Sequence, residues 1–214
     1  MNSNKDGVLL ASGGLDSTTM AFWLESEHIN YIPLFIDYGQ HCAATELETL
    51  RAVLPKKSRS NIEIIDIKSI YKKSTSRFIK PANLWVDEVN ADDLYIPYRN
   101  VLLLTIGATY AQTLGFSNLY SAFINSNHAK EIDCSNKFFE SMEGILVEYG
   151  SVKINMPFRY YSKYEVAKLG LSLGVSIDKT FSCQASPTIP CGACPNCVDR
   201  LNALNQIQLE SNFV

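Results

Sequence analysis

The sequence predicts an α/β fold, a mostly parallel sheet covered by helices on both faces, and three observations predict it. Short apolar runs rich in β-formers alternate with stretches of helical spacing along most of the chain, the pattern from which parallel sheets are built. A glycine pair, Gly13-Gly14, falls between the first such run and the first helix, at the sheet edge where open α/β folds bind ligands. The composition is globular: 46% of the 214 residues are hydrophobic and 19% charged, which excludes a disordered or collagen-like chain and leaves material for a sizeable core.

The elements follow in order. Val8 to Ala11 reads as a buried strand, Ser17 to Glu27 as a helix, and Tyr31 to Asp37 as a second strand carrying Ile32, Leu34, Phe35 and Ile36. Thr45 to Leu54 is helical up to Pro55, and Ile62 to Ile67 is a third strand. Tyr71 to Tyr98 breaks the rhythm, with Lys72 and Lys73 followed by Asp87, Glu88, Asp92 and Asp93, and reads as a long crossing loop with some helix. Asn100 to Leu114 is an apolar helix ending near Gly115, and Leu119 to Ile124 a fourth strand. Ser135 to Tyr149 is helical, Val152 to Met156 a fifth strand, and Ser162 to Leu173 a helix stopped by Gly174.

Charge and hydropathy narrow the partners. Nineteen basic against 22 acidic side chains give a formal charge of −3, the wrong balance for a surface-wide nucleic-acid platform. Met1 to Gly7 is polar, the apolar run after it is too short for a secretory core, and no stretch has the length of a membrane span. The expectation is a cytoplasmic protein with no membrane partner and no direct nucleic-acid partner.

Two motifs carry chemistry. In Ser12-Gly13-Gly14-Leu15-Asp16-Ser17-Thr18 the adjacent glycines let backbone amides approach an anion, three hydroxyls add donors, and the helix start adds a favourable partial charge. That design suits a pyrophosphate. The segment has neither the P-loop nor the dinucleotide glycine spacing. A plain turn with Ser or Asp capping the helix is the competing reading.

The second motif is Cys183-x7-Cys191-x2-Cys194-x2-Cys197, four of the six cysteines within fifteen residues. Four soft thiolates match a closed tetrahedral Zn²⁺ site, and a complete set of ligands favours structure over catalysis. An iron–sulfur cluster, a redox dithiol and unrelated buried thiols are the alternatives. His28, His41 and His128 lack metal-like spacing.

Ser12-Gly13-Gly14-Leu15-Asp16-Ser17 resembles the SGGxDS loop of the N-type ATP pyrophosphatases. Followed by Asp37-Tyr38-Gly39-Gln40, Pro97-x-Arg99-Asn100, Asp133-Cys134 and the four-cysteine loop ending in Arg200, it resembles the 7-cyano-7-deazaguanine synthase family from about residue 8 to residue 203. Ser162-Lys163-x-Glu165-Val166 is similar to that family's segment before the cysteine loop. The resemblance implies an adenine nucleotide alpha hydrolase-like (HUP, Rossmann-like) domain over 1–180, with a zinc-binding loop and terminal helix over 181–214. It implies ATP, Mg²⁺ and Zn²⁺ as cofactors, a homodimer, and adenylation of 7-carboxy-7-deazaguanine followed by attack of ammonia, through the amide, to a nitrile.

On these motifs the resemblance places Ser12, Gly13, Gly14, Leu15, Asp16, Ser17, Thr18, Asp37, Gln40, Arg99 and Asn100 at the nucleotide, with Asp16, Ser17 and Lys163 in the chemistry. Tyr38, Asp133 and Arg200 fall to the deazaguanine and Cys183, Cys191, Cys194 and Cys197 to the metal, while Tyr98, by its bulk, is read as narrowing or stacking within the nucleotide or base pocket. Rival readings stay beside these: a polar turn for Asp37 to Gln40, helix capping for Asn100, and surface solvation for Asp133, Lys163 and Arg200. The chain departs from the family pattern at Tyr98, where glycine is usual, and over Asn127 to Ser135. Those departures raise one alternative, a paralogue of the antiviral-operon type that joins the activated acid to a protein amine; a non-catalytic nucleotide-binding zinc module, which would keep both motifs without turnover, is a second. A tRNA-thiolating enzyme would need a catalytic cysteine pair or a basic extension, and neither is evident.

Overall fold

The computed structural model describes residues 6–81, 86–87, 91–124 and 133–211. Gly7–Leu10 (β1), Tyr31–Asp37 (β2), Glu63–Asp66 (β3), Asn118–Tyr120 (β4) and Lys153–Asn155 (β5) form one sheet in the order β3-β2-β1-β4-β5, with every neighbouring pair parallel. The helices are Leu15–Ser26 (α1), Ala43–Val53 (α2), Lys68–Tyr71 (α3), Arg99–Thr113 (α4), Asn136–Glu148 (α5), Lys163–Ser172 (α6) and Pro195–Ser211 (α7). The parallel α/β expectation therefore holds.

Strand side chains alternate between the two faces, and each face has its own core. Leu9 and Phe35 pack with Met20 and Leu24 of α1, Leu50 of α2 and Val166 of α6. Val8, Leu34 and Ile36 pack on the other side with Leu104 and Ala108 of α4 and Phe139 and Met142 of α5. A fully buried side chain of this kind contributes about 1.5–3 kcal/mol, so the two layers hold the sheet from both sides. Helix α4 lies close to the sheet because Gly107 has no Cβ; one built there would stand 2.8 Å from Leu119 Cδ1 and 3.0 Å from Leu10 Cδ2. Ala203 of α7 shares a smaller core with Leu15, Ala167, Val175 and Ile177.

Helix α6 starts at a complete capping box, Ser162 Oγ accepting from Glu165 N at 3.2 Å while Glu165 Oε2 accepts from Ser162 N at 2.7 Å. This fixes the position of Lys163, the first helical residue. Past β3 the chain crosses back and lays β4 on the opposite side of β1. The carboxyl ends of β1 and β4 therefore border a topological switch point, the crevice in which open parallel sheets take their ligands.

Two elements differ from expectation. The fourth strand stops at Tyr120 instead of Ile124, because its neighbour β5 offers only Lys153 to Asn155 for pairing. Within the crossing segment, Tyr71, Phe78 and Ile96 are buried together against Tyr38, Leu94 and Leu102, so the described part is packed. Residues 82–85 and 88–90 of that segment, and Asn127 to Ile132 of the departing loop with His128 among them, lie outside the described residues.

Tyr98 precedes α4 in the left-handed conformation, at φ +62°, and the residue is 72% exposed. For a non-glycine residue that conformation costs about 1–2 kcal/mol, and little ring burial offsets it. Tyr98→Gly should leave the thermal midpoint unchanged or slightly raised, since relief of strain is opposed by the greater freedom of glycine in the unfolded chain. A fall of several degrees in a thermal unfolding scan would contradict this account.

Candidate active site

The loop after β1 is ordered by its own polar groups. Ser17 Oγ accepts from Ser12 N at 3.2 Å and lies 3.4 Å from Gly14 O, to which it donates. Gly13 takes φ +77° over the backbone of α2, where a Cβ would stand 2.7 Å from both Glu46 O and Leu50 N. Conformation and space both demand glycine there. Gly14 is the N-cap of α1 and forms no side-chain cap bond, contrary to the plain capped-turn reading. The amides of Gly14 and Leu15 make only long contacts, to Ser12 Oγ and Ser182 Oγ at 3.4 Å each, with the positive end of the helix behind them.

A cavity of about 260 Å³ opens at this loop, lined by Ser12, Gly14, Leu15, Asp16 and Ser17 and extending over the carboxyl ends of β1, β2 and β4. Lys163 reaches in from the start of α6 and its Nζ meets Asp16 Oδ2 at 2.6 Å, with the lysine side chain 14% exposed. The solvated-surface reading of Lys163 is thereby replaced by a charge at the loop. Asp16 Oδ1 is buried with no hydrogen-bond partner among the described residues. A hard oxygen of this kind beside an anion-binding loop fits a Mg²⁺ ion.

The same cavity is lined by Tyr38, Gln40, Glu46, Phe78, Arg99 and Asn100. Gln40 turns inward, its Oε1 accepting from Tyr38 N at 3.0 Å and its Nε2 donating to Glu46 Oε2 at 2.9 Å. Burial pushes the Glu46 carboxyl up to about 7, against the Gln40 hydrogen bond and the Arg99 charge that lower it, while Asp37 adds to the rise. Burial likewise lifts the Tyr38 phenol to about 12, opposed by Arg99. The Arg99 guanidinium lies 4.5 Å over the Phe78 ring, its Nε donates to Asn100 Oδ1 at 3.5 Å and it hydrogen-bonds the Tyr38 hydroxyl, so the cation is fixed in the cavity lining. Asn100 does not cap α4; its Nδ2 donates to Asp133 O at 2.9 Å and fixes the turn that carries Asp133 and Cys134.

Several sequence-predicted residues stand outside the lining. Asp37 accepts from Gly39 N at 3.0 Å and pairs with Lys68 Nζ at 2.9 Å, the polar-turn role. Thr18 is fully buried behind the loop, Tyr98 points to solvent, and Asp133 is buried with Oδ2 unpartnered among the described residues. Arg200 is half-buried: its guanidinium donates to Ile177 O at 2.5 Å and to Thr180 Oγ1, tying α7 to the preceding turn. Burial lowers its pKa, against the pull of Cys197, Asp178 and Asp16.

Other lining residues escaped sequence reasoning. Glu46 sits in the first turn of α2, six residues beyond Gln40, and only the packing of α2 under Gly13 aims it at the cavity. Phe181, Ser182 and Gln184 also line it, and their position beside Cys183 was the available signal.

The Sγ atoms of Cys183, Cys191, Cys194 and Cys197 all lie within 4.8 Å of one another. A tetrahedral zinc with Zn–S bonds of about 2.3 Å asks for sulfurs roughly 3.8 Å apart, so the donor set fits one ion. Backbone amides already point at the sulfurs, Ser186 N donating to Cys183 Sγ at 3.2 Å and Cys194 N to Cys191 Sγ at 3.3 Å. The loop is tied to both neighbours. Phe181 N donates to Gly13 O at 3.1 Å, His41 Nε2 lies 3.0 Å from Gln184 O, and Cys42 Sγ donates to Ser186 O at 3.3 Å. Burial lifts the Cys42 thiol to about 12, with the Glu46 and cluster-cysteine charges adding to the rise.

Comparison with known proteins adds three findings. The chain matches the family model for queuosine biosynthesis protein QueC over residues 6–208. It is 30% identical over 213 residues to a 7-cyano-7-deazaguanine synthase of Clostridium kluyveri, covering 94% of each chain, and 31% identical over 205 residues to one of Hahella chejuensis, covering 93% of this chain and 88% of the other. A crystal structure of a 4-thiouridine synthetase–RNA complex with bound ATP aligns with a TM-score of 0.56 at 15% identity, over 96% of this chain and 53% of that one. That likeness is one of fold, and this chain spans about half the length of that protein. Among the described residues no helix is long and apolar enough to cross a membrane.

Proposed function

We propose that this chain, which belongs to the QueC family of queuosine biosynthesis proteins, is an ATP-dependent carbon–nitrogen ligase acting on 7-carboxy-7-deazaguanine. Its relatives' name, 7-cyano-7-deazaguanine synthase, supplies the substrate class. The observation that carries the reading is the glycine loop at the switch point, with the Asp16–Lys163 pair at its edge. A carboxylate is a poor electrophile. Attack of its oxygen on the α-phosphorus of ATP, with loss of pyrophosphate, converts it into a mixed anhydride that an amine can open.

In this reading the amides of Gly14 to Ser17, the Ser12 and Ser17 hydroxyls and Lys163 hold the departing pyrophosphate in place as its charge develops. Mg²⁺ held at Asp16 would share the phosphate charge. Arg99, stacked on Phe78, is placed to hold the substrate carboxylate through its fork of donors. Ammonia then gives the amide with release of AMP, and a second ATP activates the amide oxygen for loss of water to the nitrile. Residues 1–180 supply the reacting cavity in this proposal. Residues 181–214 supply a zinc-fixed wall.

Purified protein given ATP, Mg²⁺, ammonium and 7-carboxy-7-deazaguanine should release AMP and pyrophosphate only when the acid is present, and mass spectrometry should find the nitrile. A product that stops at the amide, or an adduct on a protein amine, would replace the nitrile reading with that of an amide-forming paralogue. Absence of acid-dependent AMP would reject the enzyme.

A further inference from the structure

We propose that Glu46 is the catalytic proton acceptor for the amine nucleophile, the carboxylate that takes a proton from ammonium inside the cavity so that ammonia can attack the acyl adenylate. The assignment rests on the adenylation reading above and adds to it a residue for the second half of the reaction.

The geometry is specific. Glu46 lines the same cavity as the phosphate loop and Arg99, the residue placed on the substrate carboxylate, and its backbone carbonyl lies against Gly13 of that loop. One carboxylate oxygen is fixed by Gln40 Nε2 at 2.9 Å, and Gln40 is in turn anchored by Tyr38 N; the other takes no donor among the described residues. A positioned carboxylate with an unused oxygen toward a reacting cavity is the arrangement a general base needs. The neighbours allow it to change charge there. Arg99 from the start of α4 favours the ionised form, Asp37 from the end of β2 disfavours it, and both Tyr38 and Cys42 stay neutral at physiological pH. Burial sets the balance near 7, where such a group both accepts a proton and returns it to water. The other acidic residue of the lining, Asp16, is engaged by Lys163.

The step balances. Ammonium gives one proton to Glu46; the nitrogen lone pair forms the bond to the acyl carbon; the bond between that carbon and the phosphate oxygen breaks. AMP departs, taking the second surplus proton on its phosphate, and two hydrogens remain on the amide nitrogen.

The test is Glu46→Gln, which keeps shape and the partnership with Gln40. The acid-dependent exchange of pyrophosphate into ATP should persist, while amide formation from ammonium falls by about 10²- to 10⁴-fold. Wild-type amide formation should level off above about pH 7 as Glu46 ionises, whereas the variant should keep climbing with pH, because only free ammonia serves it. Hydroxylamine, largely unprotonated at neutral pH, should recover most of the lost rate. Glu46→Asp, which keeps the acid one methylene back, should retain the plateau at reduced rate, and this variant answers the question should Glu46→Gln unfold. Exchange intact in both proteins with amide formation from ammonium unimpaired in Glu46→Gln overturns the assignment alone. Parallel loss of exchange and amide formation overturns it too, in favour of a substrate-holding role. Absence of exchange in the wild type overturns the adenylation reading and this assignment with it.

Discussion

Asp16→Ala should abolish acid-dependent pyrophosphate exchange and leave the metal content of the cysteine loop unchanged. The substitution removes two things from the mouth of the phosphate loop. Lys163 loses the partner that holds its ammonium 2.6 Å away, and the buried, unpartnered Oδ1 disappears with any cation it would hold. The loop amides remain, so the loss is one of charge placement at the moment pyrophosphate leaves. Removal of one preorganised electrostatic group of this kind costs about 10²- to 10³-fold in rate, and the simultaneous release of Lys163 should take the total beyond that. Stability should fall modestly, because the largely buried Lys163 ammonium loses its partner while an unpartnered buried carboxylate oxygen is removed with it. Asp16→Asn separates shape from charge and should be as inactive as alanine. Thermal unfolding and metal analysis of the same samples complete the test, and ordinary turnover in either variant would remove the chemistry from this loop.

What the sequence could and could not reveal follows from the range of each interaction. Tyr31 to Asp37 was legible end to end because its apolar run is local and punctuated at both ends. The fourth strand is shorter than its apolar run, since Ala122, Phe123 and Ile124 are as apolar as Leu119 and only the short partner β5 releases Ser121 to Phe123 to wall the cavity. The phosphate loop was visible for the same local reason as β2. The Asp16–Lys163 pair spans 147 positions, and resemblance alone could name both partners. Glu46 is not legible: the Asp37 to Gln40 motif ends six residues before it, and Glu46 joins the site only through the packing of α2 beneath Gly13 and its bond to Gln40. Asp133 and Arg200 show the converse. Their motif positions stand out in sequence, yet Asp133 is buried behind the Asn100 turn and Arg200 fastens α7 to Ile177 and Thr180.

Cys194→Ser should first strip zinc and stability from the protein and only then activity. Cys194 is fully buried among Cys183, Cys197, Phe181 and Ala185, so a hydroxyl there has neither the metal nor water to satisfy it. Loss of a structural metal is among the few single changes that cost about 4 kcal/mol or more, which for a chain of this size lowers the midpoint by on the order of 10 °C. The consequence travels by identifiable contacts. Phe181 N holds Gly13 O, Ser182 Oγ lies 3.4 Å from Leu15 N, and Thr45 Oγ1 donates to Pro187 O, so the loop that releases zinc is the one bracing the phosphate site from the side. Nucleotide affinity should therefore weaken in the variant, and treatment of the wild type with a chelator should reproduce both effects, since ligand binding and metal binding act on the same folded loop. Visible absorbance in the metal-loaded protein would point to an iron–sulfur cluster in place of zinc. Zinc stoichiometry unchanged by Cys194→Ser would show that the four thiolates do not close around one ion, and the zinc-fixed wall of the cavity would lose its physical basis.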